Sequence, residues 1–160
     1  AVETYIKGET AKIVVGISGG GDSNSLIHSL KSSTKKIDII PVMLLGAPEW
    51  DLGAERAKFL CEKYDLKLRL MTDEMVKKRL GLNFSEPIYS KFKSIFGNDD
   101  FEFMGTLLIR LILTQIAKEE SASYICTGAN LEDILADVFY ALNNNKKPLP
   151  RPIIPLKEVP

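Results

Sequence analysis

Short apolar segments alternate with amphipathic segments along most of the chain. Four apolar segments have the length of buried strands and end at turn residues, at 13–17, 37–45, 66–71 and 124–127. Apolar residues at helical spacing follow each of the four. This alternation is typical of parallel sheets whose two faces are both covered by helices. We therefore predict one α/β domain of three layers, with a parallel sheet in the middle.

Capping and breaking residues refine these elements. Asp22 or Ser23 is a suitable N-cap for the first helix, and Asp51 for a second helix that runs to about Tyr64. Pro41 removes a ladder donor, so the second strand should lie at a sheet edge there or carry a bulge. Helical spacing predicts further helices over 73–80, 86–96, 103–120 and 131–142.

The helix predicted over 86–96 carries aromatic residues between lysines, as in Tyr89, Lys91, Phe92 and Lys93. These aromatic side chains either pack into a core beside the carboxyl ends of the strands or stack on RNA bases. The preceding basic cluster, residues 77–79, is expected to be a solvated helix face.

A glycine-rich stretch, residues 18–23 with the sequence SGGGDS, separates the first strand from the first helix. Glycine has no Cβ and accepts positive φ, so backbone amides in this first loop can approach a ligand closely. The following helix directs its free N–H groups and positive dipole end into the same loop. Together these features predict a site for phosphate or pyrophosphate.

Two common nucleotide-binding loops do not fit residues 18–23. A Walker A loop has Lys followed by Ser or Thr after its last glycine, where this chain has Asp22 and Ser23. A dinucleotide fingerprint requires glycines spaced as GxGxxG, and Gly16, Gly19 and Gly20 do not have that spacing. A glycine-rich turn without a ligand is the remaining structural alternative.

A second polar loop, Gly128-Ala129-Asn130, follows the strand at 124–127 and precedes another helix. The carboxyl ends of parallel strands meet at one edge of the sheet, so this second loop is expected beside the first.

The first loop resembles the SGGxDS signature of the PP-loop ATP pyrophosphatases, an adenine nucleotide alpha hydrolase-like group. The block TGANLEDILADVFYAL is similar to the TGHNxDDxAET block of the tRNA 2-thiolation and lysidine synthetase branch. Ala129 replaces its histidine and Ala136 its later glutamate. The segment 151–156 resembles that branch's RPL segment. The resemblance implies a Rossmann-like sheet of five parallel strands.

This resemblance also implies a function. Family members attack the α-phosphorus of ATP with an acceptor oxygen, release pyrophosphate, and then let a nitrogen or sulfur nucleophile displace AMP. In this chain Asp22 and Ser23 would be the catalytic residues, and Asp22 with Asp133 would hold Mg²⁺. Main-chain groups of Val42, Met43 and Leu44 would meet the adenine. The nucleotide-binding residues would be Ser18, Gly19, Gly20, Gly21, Ser23, Val42, Met43, Leu44, Arg110, Gly128 and Asn130, and Lys12 or Arg151 would neutralise phosphate charge.

One departure from the family is large. In the thiolation proteins a CxxCGxxRR segment precedes the long helix and binds an iron–sulfur cluster or carries sulfur. Here residues 101–105 read FEFMG, so Gly105 matches the glycine and Arg110 lies near the arginines, but both cysteines are replaced. Cluster ligation or a persulfide relay through these positions is therefore excluded. Cys61 is expected in the core, and Cys126 is either a buried strand residue or a lone reactive thiol.

Composition narrows the setting. The chain of 160 residues is 45% hydrophobic and has equal numbers of basic and acidic residues, 21 each. The length and hydrophobic content are enough for one domain over residues 1–160 with a hydrophobic core. Because the charges balance, the chain has no overall positive electrostatic field that would attract nucleic acid. Because the chain begins without Met and stops within a continuing pattern, we expect further sequence downstream. No signal peptide or membrane span is visible, so a cytoplasmic protein is expected.

The sequence leaves three functional hypotheses. The chain adenylates an acceptor oxygen in a tRNA base modification of the thiolation type, with ATP and tRNA as partners; or it is a degenerate module that binds nucleotide without catalysis; or it amidates or ligates a small molecule. It does not indicate the acceptor, the donor or the oligomeric state.

Overall fold

The computed structural model describes residues 6–97 and 101–145. Four strands form one parallel sheet in the order β3-β2-β1-β4, with bounds β1 Thr10–Gly16, β2 Lys36–Leu44, β3 Arg69–Met71 and β4 Tyr124–Thr127. The helices are α1 Gly21–Lys31, α2 Pro48–Asp51, α3 Ala54–Lys63, α4 Asp73–Leu80, α5 Ile88–Phe96, α6 Phe101–Glu119 and α7 Leu131–Asn143. None of the helices in the described ranges is both long and apolar enough to cross a membrane.

The predicted α/β class and parallel sheet are confirmed, but the strand number is not. Five strands were expected from the family resemblance, and the sheet has four within the described residues. Each of the four strands overlaps one of the four apolar segments found in the sequence, and the sequence has no further segment of that kind that would form a fifth. The 151–156 segment and Arg151 lie outside the described residues.

Pro41 lies in β2, which is flanked by β1 and β3. Its register partner on β1 is Val15, and the pairing runs without a bulge from Lys36 to Val42. Pairing with β3 begins only at Val42. Because Val42 directs its carbonyl to β1, the nitrogen of Pro41 faces the other side, where β3 has not yet begun. The strand is interior, yet Pro41 occupies an edge position within it.

Helices cover both faces of the sheet. On one face, alternate β1 residues pack with α1 and α3 in a cluster that includes Ile13, Val15, Ile27, Leu60 and Cys61. On the other face, Val14, Val42, Met71, Ile112 and Ile116 form a second cluster with α4 and α6. This alternation produces the predicted three layers, and Cys61 is in the core as expected, at 1% exposure.

The helix predicted to run from a cap at Asp51 to about Tyr64 is α3, which begins only at Ala54, and Asp51 is the last residue of the separate short helix α2. The carboxylate of Asp51 accepts a hydrogen bond from the Gly46 amide at 2.9 Å, so it closes the turn after β2 and does not cap a long helix. The chain bends at Leu52 and Gly53, and α3 begins after Gly53 as its N-cap. Gly53 is thereby placed against the first loop, which the sequence did not predict.

In the 73–96 region one prediction is met in part and one is wrong. Helix α5 is present and Ile88 packs against the second cluster, but none of its residues is fully buried, and the aromatic residues Tyr89 and Phe92 are half-buried. Lys77, expected on a solvated face, is 3% exposed and forms ion pairs with Asp73 and Glu74. Hydrogen bonding to Glu74 raises the pKa of Lys77 despite its desolvation. The ammonium also donates to the Glu86 carbonyl at 3.2 Å, which fastens the connection that leads into α5.

Lys12 lies near the amino end of the sheet. Its ammonium contacts the Glu120 carboxylate at 3.4 Å, and Arg69 donates to the same carboxylate at 2.7 Å. The hydrogen bond from Arg69, followed by that from Lys12, holds the pKa of Glu120 below its usual range. Since the first loop follows the carboxyl end of β1, the role predicted for Lys12 as a phosphate partner is not supported by this placement.

Candidate phosphate-binding site

The first loop is closed by its two serines. The Ser18 amide donates to the Ser23 hydroxyl at 2.9 Å, and the two hydroxyl oxygens are 3.1 Å apart. Ser23 is 3% exposed, so its hydroxyl is held inside the loop. The loop therefore has a fixed shape in which Ser23 acts first as a structural tie.

Helix α1 begins at Gly21, with Gly20 as its N-cap, and not at Asp22 or Ser23 as predicted. The first bond of the helix runs from the Asn24 amide to the Gly20 carbonyl at 3.2 Å. No side chain caps this end. The amides of residues 21–23 are thus left without helical carbonyl partners, at the positive end of the helix dipole. This arrangement can bind an anion through backbone N–H groups.

Close backbone contact fixes the position of the loop. Gly19 has φ +75°, and a Cβ there would lie 2.2 Å from the Gly53 carbonyl oxygen. Conversely, a Cβ on Gly53 would lie 1.9 Å from the Ser18 carbonyl oxygen. Of the three consecutive glycines, Gly19 is the one with positive φ. Nothing in the local sequence identified Gly53, because its importance comes from a contact across the turn and not from its own φ.

The second loop lies directly beside the first, as predicted. Strand β4 pairs with β1, and a Cβ on Gly128 would lie 3.2 Å from the Ser23 amide nitrogen. The Asn130 side-chain amide donates to the Asp22 carboxylate at 3.3 Å. The N-termini of α1 and α7 therefore meet at the carboxyl ends of β1 and β4.

The two helix N-termini differ in how they are satisfied. Asn130 caps α7 in a capping box, in which its side chain accepts from the Asp133 amide and the Asp133 carboxylate accepts from the Asn130 amide, both at 2.9 Å. The N-terminus of α1 has no such cap. An external anion is therefore best accommodated at α1.

The carboxylates suggested for Mg²⁺ are connected through Asn130, since Asp22 accepts from its side chain and Asp133 from its main chain. Within the described residues, no group of three or more His, Cys, Asp or Glu side chains is arranged to hold a metal. Mg²⁺ usually takes one or two carboxylates and completes its shell with water and substrate phosphates. The exposed Asp22 carboxylate, with Asp133 nearby, fits that donor set once phosphate is bound.

The three residues proposed to meet adenine lie in β2. Met43 and Leu44 pair with β3, and the Val42 carbonyl accepts from the Ile17 amide at 2.9 Å. Since neighbouring residues of a strand face opposite sides, Leu44 directs its main chain toward the β1 side, beyond the last pair, Gly16 with Val42. Leu44 is therefore the member of this set that faces the space next to the first loop.

Arg110 and Cys126 lie on elements next to the site. Arg110 is half-buried in α6, which covers the sheet face opposite α1. Its contact with phosphate stays a prediction. Cys126 is half-buried in β4 and packs against the core cluster, and burial raises the pKa of its thiol. At neutral pH this thiol is protonated, which does not favour a nucleophilic role.

Gly105, the residue that matched the family glycine, lies against Trp50. A Cβ on Gly105 would be 2.5 Å from the indole ring. A narrow slot of about 20 Å³, lined by Gly46, Trp50, Tyr89 and Met104 among others, opens beside this contact. The small residue on α6 thus lets Trp50 close the slot at the carboxyl ends of β2 and β3.

Gly105→Ala is therefore expected to displace Trp50. Overpacking of this kind lowers the free energy of unfolding by about 1–3 kcal/mol. The better helix propensity of alanine offsets about 1 kcal/mol of this loss. Trp50 is the single tryptophan of the chain, so its emission reports the change directly. We expect a red shift of the emission maximum and a small loss of stability in urea. An unchanged spectrum would show that the ring does not depend on Gly105.

Comparisons with known proteins support the fold. A comparison with models of protein families finds no match, and a comparison with curated proteins finds none. Among solved structures, the chain is similar to the U34-tRNA thiolase NcsA from Methanococcus maripaludis, solved with its [4Fe-4S] cluster, with a TM-score of 0.67 and 19% sequence identity. The match covers 90% of this chain and 48% of that one, so this chain spans about half the length of its neighbour.

Proposed function

We propose that the chain is a PP-loop ATP pyrophosphatase that adenylates an acceptor oxygen, in a tRNA base modification of the thiolation type. The observation that carries the proposal is the uncapped N-terminus of α1. It lies in a loop whose shape is fixed by the hydrogen bond from the Ser18 amide to the Ser23 hydroxyl. The SGGxDS resemblance selects ATP as the ligand for this anion site. The fold shared with a U34-tRNA thiolase favours a tRNA base as acceptor.

In the proposed reaction the acceptor oxygen attacks the α-phosphorus of ATP, and the bond from that phosphorus to the oxygen bridging the β-phosphate breaks. Pyrophosphate leaves with that electron pair. The chain's part is alignment and charge stabilisation, since phosphoryl chemistry of this kind needs little covalent help. The amides of residues 21–23 bind the pyrophosphate portion, and Leu44 main-chain groups face the base. Asp22 and Asp133 would hold Mg²⁺, which would supply positive charge to the phosphate oxygens.

The source of sulfur lies outside this step. Residues 101–104 lack the paired cysteines of the thiolation branch, and burial raises the pKa of the half-buried Cys126 thiol. We therefore assign this chain the adenylation step, with an external nucleophile that displaces AMP. The replaced residues Ala129 and Ala136 favour a second candidate, a module that binds ATP without turning it over.

A pyrophosphate-release assay tests the proposal. The protein is incubated with ATP and Mg²⁺, with total tRNA, with a mixture of small carboxylates, or with neither. We expect pyrophosphate only when tRNA is present, and AMP in a 1:1 ratio to it only when sulfide is added as the external nucleophile. Release with carboxylates alone would indicate the small-molecule alternative, and ATP binding without release under any condition would indicate the non-catalytic module.

A further inference from the structure

We infer that Arg56, at the start of α3, is a phosphate ligand of the first loop, and that its guanidinium binds the pyrophosphate portion of the nucleotide. The inference rests on the proposed function, because it concerns the same ATP site. Neither the sequence pattern nor the family motif points to this residue.

The position of Arg56 is fixed by a hydrogen bond to the loop itself. Its Nε–H donates to the Gly19 carbonyl at 3.0 Å. The contact is supported by the mutual approach of Gly19 and Gly53, since Gly53 is the N-cap of the helix that carries Arg56. The guanidinium is therefore attached to the loop whose amides form the anion site.

The remaining donors of this side chain suit a phosphate. Arginine has five N–H donors in a planar fork, and the bond to Gly19 uses one of them. Arg56 is solvent-exposed, and within the described residues its other four donors have no protein acceptor. Guanidinium groups bind phosphate oxygens through two parallel hydrogen bonds more specifically than ammonium groups do.

The charge balance of the site also favours a cation beside the first loop. The nucleotide is strongly anionic, and Asp22 adds a carboxylate at the same loop. Lys12, the cation that the sequence suggested, lies near the opposite end of β1 and is paired with Glu120. Arg56 supplies positive charge at the loop, and no carboxylate within the described residues forms an ion pair with it.

The test compares Arg56→Gln and Arg56→Lys with wild type, and uses Lys58→Gln as a control because Lys58 is an exposed cation of the same helix. Calorimetry measures the binding of ATP, of inorganic pyrophosphate and of adenosine. A charge-assisted hydrogen bond is worth about 1.5–3 kcal/mol, so Arg56→Gln should weaken ATP and pyrophosphate by about 10- to 150-fold. The affinity of Arg56→Lys for ATP and pyrophosphate should lie between those of wild type and Arg56→Gln. Lys58→Gln should bind both ligands as wild type does.

Adenosine separates a phosphate ligand from a residue that only shapes the loop. We expect its affinity, and the melting temperature without ligand, to be unchanged by Arg56→Gln. An equal loss for adenosine and ATP, or ATP affinity within twofold of wild type, would overturn the inference. If the wild-type protein bound neither ATP nor pyrophosphate, the proposed function itself would fail. That result differs from the two outcomes above, which concern Arg56 alone.

Discussion

Replacing Asp22 by alanine is expected to reduce pyrophosphate release to background while the protein stays folded. The Asp22 carboxylate is exposed in the first turn of α1 and lies 3.3 Å from the Asn130 amide. In the proposed reaction this carboxylate would hold Mg²⁺ at the phosphates, and loss of one preorganised electrostatic contact at a reacting centre costs about 10²–10³-fold in rate. Stopped assays of pyrophosphate and AMP, with ATP and tRNA, measure the effect.

Two further variants show whether the loss of activity comes from the charge of Asp22. Asp22→Asn keeps the size of the side chain and its contact with Asn130 but removes the charge, so it should be as inactive as the alanine variant. Asp38→Asn removes an exposed carboxylate of β2 and should leave activity unchanged. Full turnover by Asp22→Ala would refute the metal role of Asp22.

Gly19→Ala and Gly53→Ala are expected to abolish ATP binding, with a loss of affinity beyond about 100-fold, equivalent to more than 2.7 kcal/mol. Alanine at Gly19 suffers from positive φ as well as from the contact with Gly53. Alanine at Gly53 tests the close approach alone, because its φ of −82° and ψ of −11° suit any residue. In both variants the displaced backbone no longer presents the amides of residues 21–23 together.

Gly21→Ala is the matched control for these two variants. A Cβ on Gly21 meets nothing within 4 Å, its φ is not positive, and it occupies the variable position of the SGGxDS signature. We expect its ATP affinity to stay within a few-fold of wild type, measured by calorimetry beside circular dichroism of each variant. If Gly53→Ala bound ATP as tightly as Gly21→Ala, the close backbone contact between Gly19 and Gly53 would not control the site.

Much of the fold could be predicted because the apolar pattern is strong. The strands at 13–17 and 124–127 and the helix over 73–80 were placed to within a few residues, since buried strands and amphipathic helices have different periods. The N-cap of α3 was placed at Asp51 and not at Gly53, because Asp is a good capping residue in general and glycine gives a weaker signal. The ion-pair partners of Lys77 lie one turn away on the same helix, but its burial was missed because the connection at Ser85 and Glu86 that it binds lies beyond that helix.

The site was predictable where one local segment builds it. The first loop and its helix can be recognised from residues 18–23, and the parallel-strand rule placed Gly128 and Asn130 beside them. The N-cap was misplaced because Asp22 and Ser23 are good capping residues in general, whereas here Ser23 closes the loop and Gly20 takes the cap position. Contacts that join separate segments, such as Arg56 with Gly19, leave no trace in sequence spacing.

The most direct measurement of the central claim is calorimetric titration of the wild-type protein with ATP, inorganic pyrophosphate and adenosine. If the uncapped amides of α1 hold the phosphate tail, ATP should bind at micromolar to submillimolar concentration, pyrophosphate should compete with it, and adenosine should bind far more weakly. No heat with ATP at millimolar concentration, or equal affinity for ATP and adenosine, would contradict the account.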